Sequence, residues 1–312
     1  MPVPSLPGVE LHERVPLARH TYMRIGGPAR YFATPDDLAA LDTLLLWARG
    51  IGLPLRVLGG GSNVLVADEG VDAIVVSLRR ACGGIRFEGT RVHAGAAVML
   101  PALARAAADE GLGGLEFAIG IPGSVGGALQ SNAGIGDGRN IGALVEGVDV
   151  YGARGRRTLP GEELRFDYRR SNLRGSGVMV LGATLLLAPR PPETIEVEMR
   201  RLLEARGATQ PTALPNAGSI FRNPPGDFAG RLIEAAGCKG LAVGHTRVSE
   251  LHANFIVHDG AGTAAEVVAL MEQVQERVFQ HAGIQLLTEI EWWGDGPSPS
   301  PFPRPPELSD EP

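Results

Sequence analysis

Ser219, Arg222 and Asn223 stand close together in Ala217-Gly-Ser-Ile-Phe-Arg-Asn-Pro-Pro-Gly226. The small residues around Ser219 leave its hydroxyl accessible, and Arg222 and Asn223 add donors nearby. A serine after glycine also commonly bonds its own backbone in a turn, and spacing alone favours that use. Arg169 and Arg170, in Asp167-Tyr-Arg-Arg-Ser171, put guanidinium groups beside an aromatic after a turn. An arginine there can fork onto a carboxylate or phosphate. The plainer reading is a solvated charge cluster, as for Arg154, Arg156 and Arg157. Glu289 lies in Leu286-Leu-Thr-Glu-Ile-Glu-Trp-Trp293, where alternation puts Leu287, Glu289 and Glu291 on one strand face. Buried there, its carboxyl would have a raised pKa and could serve as an acid. At an exposed sheet edge it would be an ordinary glutamate. His93, His252 and His258 show no metal-ligand spacing with Cys82 or Cys238, so no metal is expected.

The elements that must position these groups centre on two glycine loops. The first, Gly59-Gly60-Gly61-Ser62-Asn63, separates the apolar runs 55–58 and 64–67. In the common phosphate-binding motifs a helix follows the loop. Here a second β-rich run follows, so bare backbone N–H groups must cradle the anion between two strands. The chain's only lysine is Lys239, which excludes a Walker lysine after the loop. The pattern points to a flavin or a sugar nucleotide rather than ATP. The second loop is Gly120-Ile121-Pro122-Gly123-Ser124-Val-Gly126-Gly127, a rigid surface bare of large side chains, against which a flat ring or a pyrophosphate could lie. A tight strand-turn-helix corner would use the same residues.

Composition narrows the class. Glycine accounts for 43 of 312 residues, about twice the usual ~7%, and it is clustered. Such clustering marks close backbone approaches. The net charge of −6 disfavours a nucleic-acid partner, and local arginines must bind any anionic ligand. Two cysteines imply no pairing and a reducing compartment. The start of the chain lacks a signal-peptide pattern, and the longest apolar stretch, 177–188, is too short to span a bilayer. The expectation is a cytoplasmic protein without membrane insertion.

Residues 1–20 read as an irregular arm. A helix opens at Pro35-Asp36-Asp37 and stops at Gly50 and Gly52. Further helices are expected over 100–110 and 193–206, from Asp227 as cap to Gly237, and from the Thr263-Ala-Ala-Glu266 capping box to Gly283. Strands are expected around the first loop, over 71–78, from Val92, and over 145–151, 157–159, 178–187 and 285–293.

Six segments in order now carry a resemblance. They are Thr21-Tyr-Met-Arg-Ile-Gly-Gly27, Leu58-Gly-Gly-Gly-Ser-Asn63, residues 114–127, Asp167-Tyr-Arg-Arg-Ser171, Gly218-Ser-Ile-Phe-Arg-Asn-Pro224 and Leu287-Thr-Glu289. Over about residues 10–294 the chain resembles the UDP-N-acetylenolpyruvoylglucosamine reductase (UDP-N-acetylmuramate dehydrogenase) family, in the subtype lacking an inserted tyrosine-bearing lobe. It departs from that pattern in having no aromatic after Asn132-Ala-Gly134, no lysine before Gln210-Pro211, and His258 in place of an asparagine.

The resemblance implies an α+β chain with a vanillyl-alcohol-oxidase-type FAD-binding fold in two subdomains (1–75 and 76–190). A C-terminal α+β substrate-binding domain (191–294) follows, and the Pro/Ser/Asp/Glu-rich composition beyond it reads as a disordered tail (295–312). It implies FAD as cofactor, NADPH as reductant, the enolpyruvyl ether of UDP-N-acetylglucosamine as substrate, and a monomer. Arg169, Ser219 and Glu289 become the catalytic residues. Tyr168, Arg222 and Asn223 become substrate contacts, and the two glycine loops hold the flavin. Hydride would add to the β-carbon of the enol ether, Arg169 and Glu289 would stabilise charge on the carboxylate, and Ser219 would protonate the α-carbon. The competing readings are an FAD-dependent oxidase of the same fold and a non-catalytic UDP-sugar-binding protein.

Overall fold

The computed structural model describes residues 4–296 and 298–302. They form two compact units, each assembled from separate stretches of chain. One holds residues up to 13, 31–60 and 73–208; the other holds 14–30, 61–72 and 209 onward.

The first unit is built on a five-stranded antiparallel sheet. Its order is Gly155–Pro160, Val145–Gly152, Met179–Leu186, Arg91–Gly95, Ile85–Glu88. A four-stranded sheet runs Val9–Pro16, Pro28–Pro35, Val71–Val76, Leu55–Val57, the last two parallel with Leu55 opposite Ile74. The Leu38–Ile51 helix begins where Asp37 Oδ1 accepts the Ala40 N–H at 2.8 Å and ends at left-handed Gly52. The Leu100–Asp109 helix turns Leu100, Leu103, Ala104, Ala107 and Ala108 inward, and Leu41, Leu44, Ile74, Val92, Leu103 and Val148 share one core. The Pro192–Thr209 helix adds Ile195 and Met199.

The second unit has its own core, in which Met23, Ile25 and Leu65 join Phe221, Leu232, Met271 and Val278. The Ala264–Ala282 helix has the expected capping box, with Thr263 and Glu266 each bonding the other's backbone N–H, and closes at left-handed Gly283. The Asp68 carboxylate accepts the Ala264 and Ala265 N–H groups at 2.8 and 3.0 Å, favourable at a helix N-terminus. Val64–Val66 pairs in parallel with Glu291–Trp293.

Three local expectations change. The arm over residues 1–20 contains the Val9–Pro16 strand and a 3-10 turn at Leu17–His20, with Leu17 fully buried. Asp227 does not cap the helix after it, which runs Ala229–Ala235. Its carboxylate is occupied by Arg231 and the Phe228 N–H, and Asn223 Oδ1 takes the Ala229 N–H instead, at 3.0 Å. The strand expected over 285–293 is regular only at Glu291–Trp293. Most of the expected disordered tail (Pro297 and 303–312) lies outside the described residues, but Phe302 is buried and its ring lies 5.7 Å from that of Trp292.

Candidate active site

The first glycine loop joins Leu55–Val57 to Val64–Val66, strand to strand, as its flanks suggest. The Leu58 N–H reaches back to the Val76 carbonyl. Beyond it, among the described residues, none of the N–H groups from Gly59 to Asn63 donates to protein. Five consecutive uncommitted backbone donors are unusual in a folded chain, where such groups are almost always paired. Side chains are excluded around them. A Cβ on Gly59 would stand 2.4 Å from Ser124 Oγ, and one on Gly60 2.9 Å from Gly123 Cα. Gly61 has φ +65°, and a Cβ there would stand 2.2 Å from the His20 carbonyl oxygen. The two glycine loops therefore meet backbone to backbone at Gly60 and Gly123. A run of bare N–H groups is the donor set that a phosphate takes, and these residues fit the diphosphate of FAD.

The second loop divides its labour. A 3-10 turn, Glu116–Gly120, precedes it and a short helix, Val125–Ser131, follows. The N–H groups of Val125 and Gly126 go to Val98 and Ala96 carbonyls, and that of Gly127 goes to Ser124 Oγ at 3.5 Å. Gly126 and Gly127 thus serve packing and capping, while Gly123 and Ser124 keep uncommitted N–H groups among the described residues.

Arg169 sits at the tip of a hairpin formed by Phe166–Asp167 and Arg170–Ser171, in the left-handed region at φ 53°. Its Nη1 donates to the Gly134 carbonyl at 3.0 Å, and its guanidinium lies 5.4 Å from the centre of the exposed Tyr168 ring. It is half-buried and structured, unlike a solvated charge cluster.

Ser219 follows left-handed Gly218, whose N–H is held by Asn216 Oδ1 at 2.9 Å. The hydroxyl is half-buried, and among the described residues no group hydrogen-bonds it. The segment after Ser219 is gripped from two sides. Asn254 accepts the Phe221 N–H at 2.9 Å and donates to the Phe221 carbonyl at 2.7 Å. Opposite, Glu289 N–H donates to the Ile220 carbonyl at 2.8 Å and Arg222 N–H to the Leu287 carbonyl at 2.8 Å. Ser219 and Glu289 are thereby held on adjoining backbone, 70 residues apart in sequence. Thr288 and Ile290 are buried while Leu287 is exposed and Glu289 half-buried, so the alternation survives where the regular strand does not. Arg222 Nε is buried with no hydrogen-bond partner among the described residues, the state of a donor awaiting an anion.

Several supporting groups carried no sequence signal of their role: Asn216, Asn254, Asp68 and His258. Buried His258 donates through Nε2 to the Met23 carbonyl at 2.6 Å and accepts the Gly260 N–H at Nδ1. It thus anchors the Thr21–Gly27 segment, a role that accounts for the imidazole here.

Comparison with known proteins gives a consistent result. Residues 29–158 match an FAD binding domain model, and residues 210–293 match the C-terminal domain of UDP-N-acetylenolpyruvoylglucosamine reductase. The UDP-N-acetylenolpyruvoylglucosamine reductase of Moorella thermoacetica is 48% identical, covering 90% of this chain and 92% of that protein. A second reductase of that name, from Symbiobacterium thermophilum, is 45% identical with 90% and 92% coverage. Among solved structures, UDP-N-acetylenolpyruvylglucosamine reductase from Thermus caldophilus superposes with a TM-score of 0.78 at 37% identity, covering 91% of this chain and 99% of that one.

Proposed function

This chain belongs to the UDP-N-acetylenolpyruvoylglucosamine reductase family, and from that premise we propose that it reduces the enolpyruvyl ether of UDP-N-acetylglucosamine to UDP-N-acetylmuramate, with NADPH as reductant, in peptidoglycan precursor synthesis. It is an FAD-dependent oxidoreductase. Residues 1–75 and 76–190 serve the flavin and 191–294 the substrate, in a monomer working in the cytoplasm. Among the described residues no helix is long and apolar enough to cross a membrane.

The observation that carries this reading is the run of uncommitted N–H groups from Gly59 to Asn63. These residues would hold the cofactor's diphosphate, with Gly120, Ile121, Pro122, Gly123 and Ser124 beside it. Bound there and reduced, FAD would supply hydride chemistry at the β-carbon of the enol ether. Charge then builds on the substrate carboxylate. Arg169 and Glu289, the latter protonated or sharing a proton, stabilise it as preorganised donors. The Ser219 hydroxyl delivers the proton to the α-carbon. A serine is a weak acid, so it needs a strongly basic, carbanion-like acceptor and a relay that reloads it. Arg222 would pair with an anionic group of the substrate. Asn223, whose Oδ1 already caps a helix, would contact substrate through its Nδ2. Tyr168 would line the same substrate.

The test is colour. The purified protein should be yellow, bleach with NADPH, and recover its colour without oxygen when the enolpyruvyl substrate is added, with UDP-N-acetylmuramate as product. Bleaching without anaerobic recovery would overturn the reading and favour an oxidase.

A further inference from the structure

The hairpin bearing Arg169 is fastened at three points to one stretch of chain, residues 130–134. Ser171 Oγ donates to the Gln130 carbonyl, Asn132 Nδ2 to the Asp167 carbonyl and Arg169 Nη1 to the Gly134 carbonyl, each at 3.0 Å. The middle fastening is the unusual one. Asn132 is 6% exposed and left-handed, at φ 46°. Its Oδ1 accepts the Gly142 N–H at 3.0 Å, so one carboxamide joins the hairpin to the 3-10 turn at Ile141–Leu144.

The side chain is not needed to end its own helix, because the Asn132 backbone N–H already bonds the Ala128 carbonyl. Both side-chain bonds therefore act outward, one of them on the residue two places before Arg169. Few residue types can replace it. A carboxamide alone among short side chains offers a donor and an acceptor at this spacing, and asparagine tolerates the left-handed region better than other non-glycine residues. Asp at this position would press a carboxylate against the Asp167 carbonyl.

We propose that Asn132 is a positioning residue for the reduction, acting through Arg169: by holding the Asp167 carbonyl it fixes the left-handed turn that presents the guanidinium. The proposal rests on the role given to Arg169 above. A turn released at this point lets the guanidinium wander on the scale of an ångström, and misplacement of that size costs roughly 10²-fold in rate.

The test compares Asn132→Gly, Asn132→Asp, Arg169→Gln and the double variant Asn132→Gly/Arg169→Gln in the flavin-loaded protein. Gly keeps the left-handed backbone and drops both bonds, while Asp keeps the shape and the acceptor. Anaerobic single-turnover experiments separate bleaching by NADPH from recovery with substrate. The expectation is that recovery slows by roughly 10- to 10²-fold in both Asn132 variants, while bleaching stays within about threefold. The double variant should be no slower than Arg169→Gln alone, because the two residues act as one. Amide hydrogen exchange at Gly142 should also accelerate in Asn132→Gly. Recovery at the wild-type rate in Asn132→Gly, equal slowing of both half-reactions, or additive losses in the double variant would each overturn the positioning role. Full recovery in Arg169→Gln would overturn the role of Arg169 and this proposal with it. A slow Arg169→Gln beside a fast Asn132→Gly would overturn the positioning role alone.

Discussion

Asn63 and Glu289, 226 residues apart, are joined by a hydrogen bond of 3.2 Å from the Asn63 carboxamide to the Glu289 carbonyl. The Glu291 N–H returns to the Asn63 carbonyl at 2.9 Å. The last residue of the first glycine loop thus embraces the backbone of the proposed acid. Asn63→Ala should slow colour recovery with substrate by about tenfold through a displaced Glu289, while flavin affinity falls by no more than about threefold. Stopped-flow absorbance and flavin titration measure the two effects. Loss of flavin with an undisturbed recovery rate in the loaded fraction would assign Asn63 to the cofactor alone.

Ser219→Ala should lower the rate of substrate reduction by at least roughly 10²-fold, the scale of a general acid. Flavin reduction by NADPH should change little, since the hydroxyl serves only the second half-reaction. Full turnover in this variant would remove Ser219 from the mechanism.

Gly61→Ala should destabilise the fold and empty it of flavin. The position has φ +65°, and its Cβ would meet the His20 carbonyl at 2.2 Å. Strain of this kind costs about 1–3 kcal/mol. Denaturant unfolding and the ratio of flavin to protein absorbance measure both consequences. A yellow, equally stable variant would contradict the close packing of this loop.

The Arg201 and Arg139 guanidinium groups hold the Glu198 carboxyl down to about 2. Arg139 also pairs with Asp137 in the 134–140 loop. A depressed folded-state pKa stabilises above the unfolded value of about 4.3 and is lost as the pH falls toward the folded one. Glu198→Gln should therefore lower the melting temperature by about 2 °C at neutral pH, the scale of a partly exposed pair in a chain this long. The gap should close between about pH 5 and about pH 2. A gap that widens on acidification would contradict the pairing.

Burial pushes the Cys82 thiol up to about 11 and raises that of Cys238. Only the thiolate attacks alkylating reagents. At pH 8 both residues should resist iodoacetamide in the folded protein and react promptly in guanidinium, as peptide mass analysis would show. Rapid labelling of the native protein at either residue would refute the burial.

Features with local causes were readable from the sequence. The Leu38–Ile51 and Ala264–Ala282 helices announce themselves by their caps, because Asp37, Thr263, Glu266 and the closing glycines act within a few residues of the ends they serve. The strand-to-strand glycine loop was readable because its β-rich flanks leave no room for a helix. What escaped depends on distance. The Val9–Pro16 strand alternates Val9, Leu11 and Val15 with Glu10, His12 and Arg14, broken only at Glu13, but it is a polar edge strand completed by pairing with the distant Pro28–Pro35. Asp227 was the local cap candidate, but its carboxylate pairs with Arg231, and the Ala229 N–H goes instead to Asn223, six residues away. Asn132 and Asn254 spend their side chains on backbone 33–35 residues away, which no local pattern reveals.

The parallel pairing of Glu291–Trp293 with Val64–Val66 bears on how this polypeptide can be divided. A fragment cut to residues 210–293, the span of the C-terminal family match, would lose that partner strand, the Met23 and Leu65 side chains and the Asp68 carboxylate. It would show water an open β-edge flanked by tryptophans, a ready template for self-association. Inclusion bodies, not a soluble module, are the fate of such a truncation.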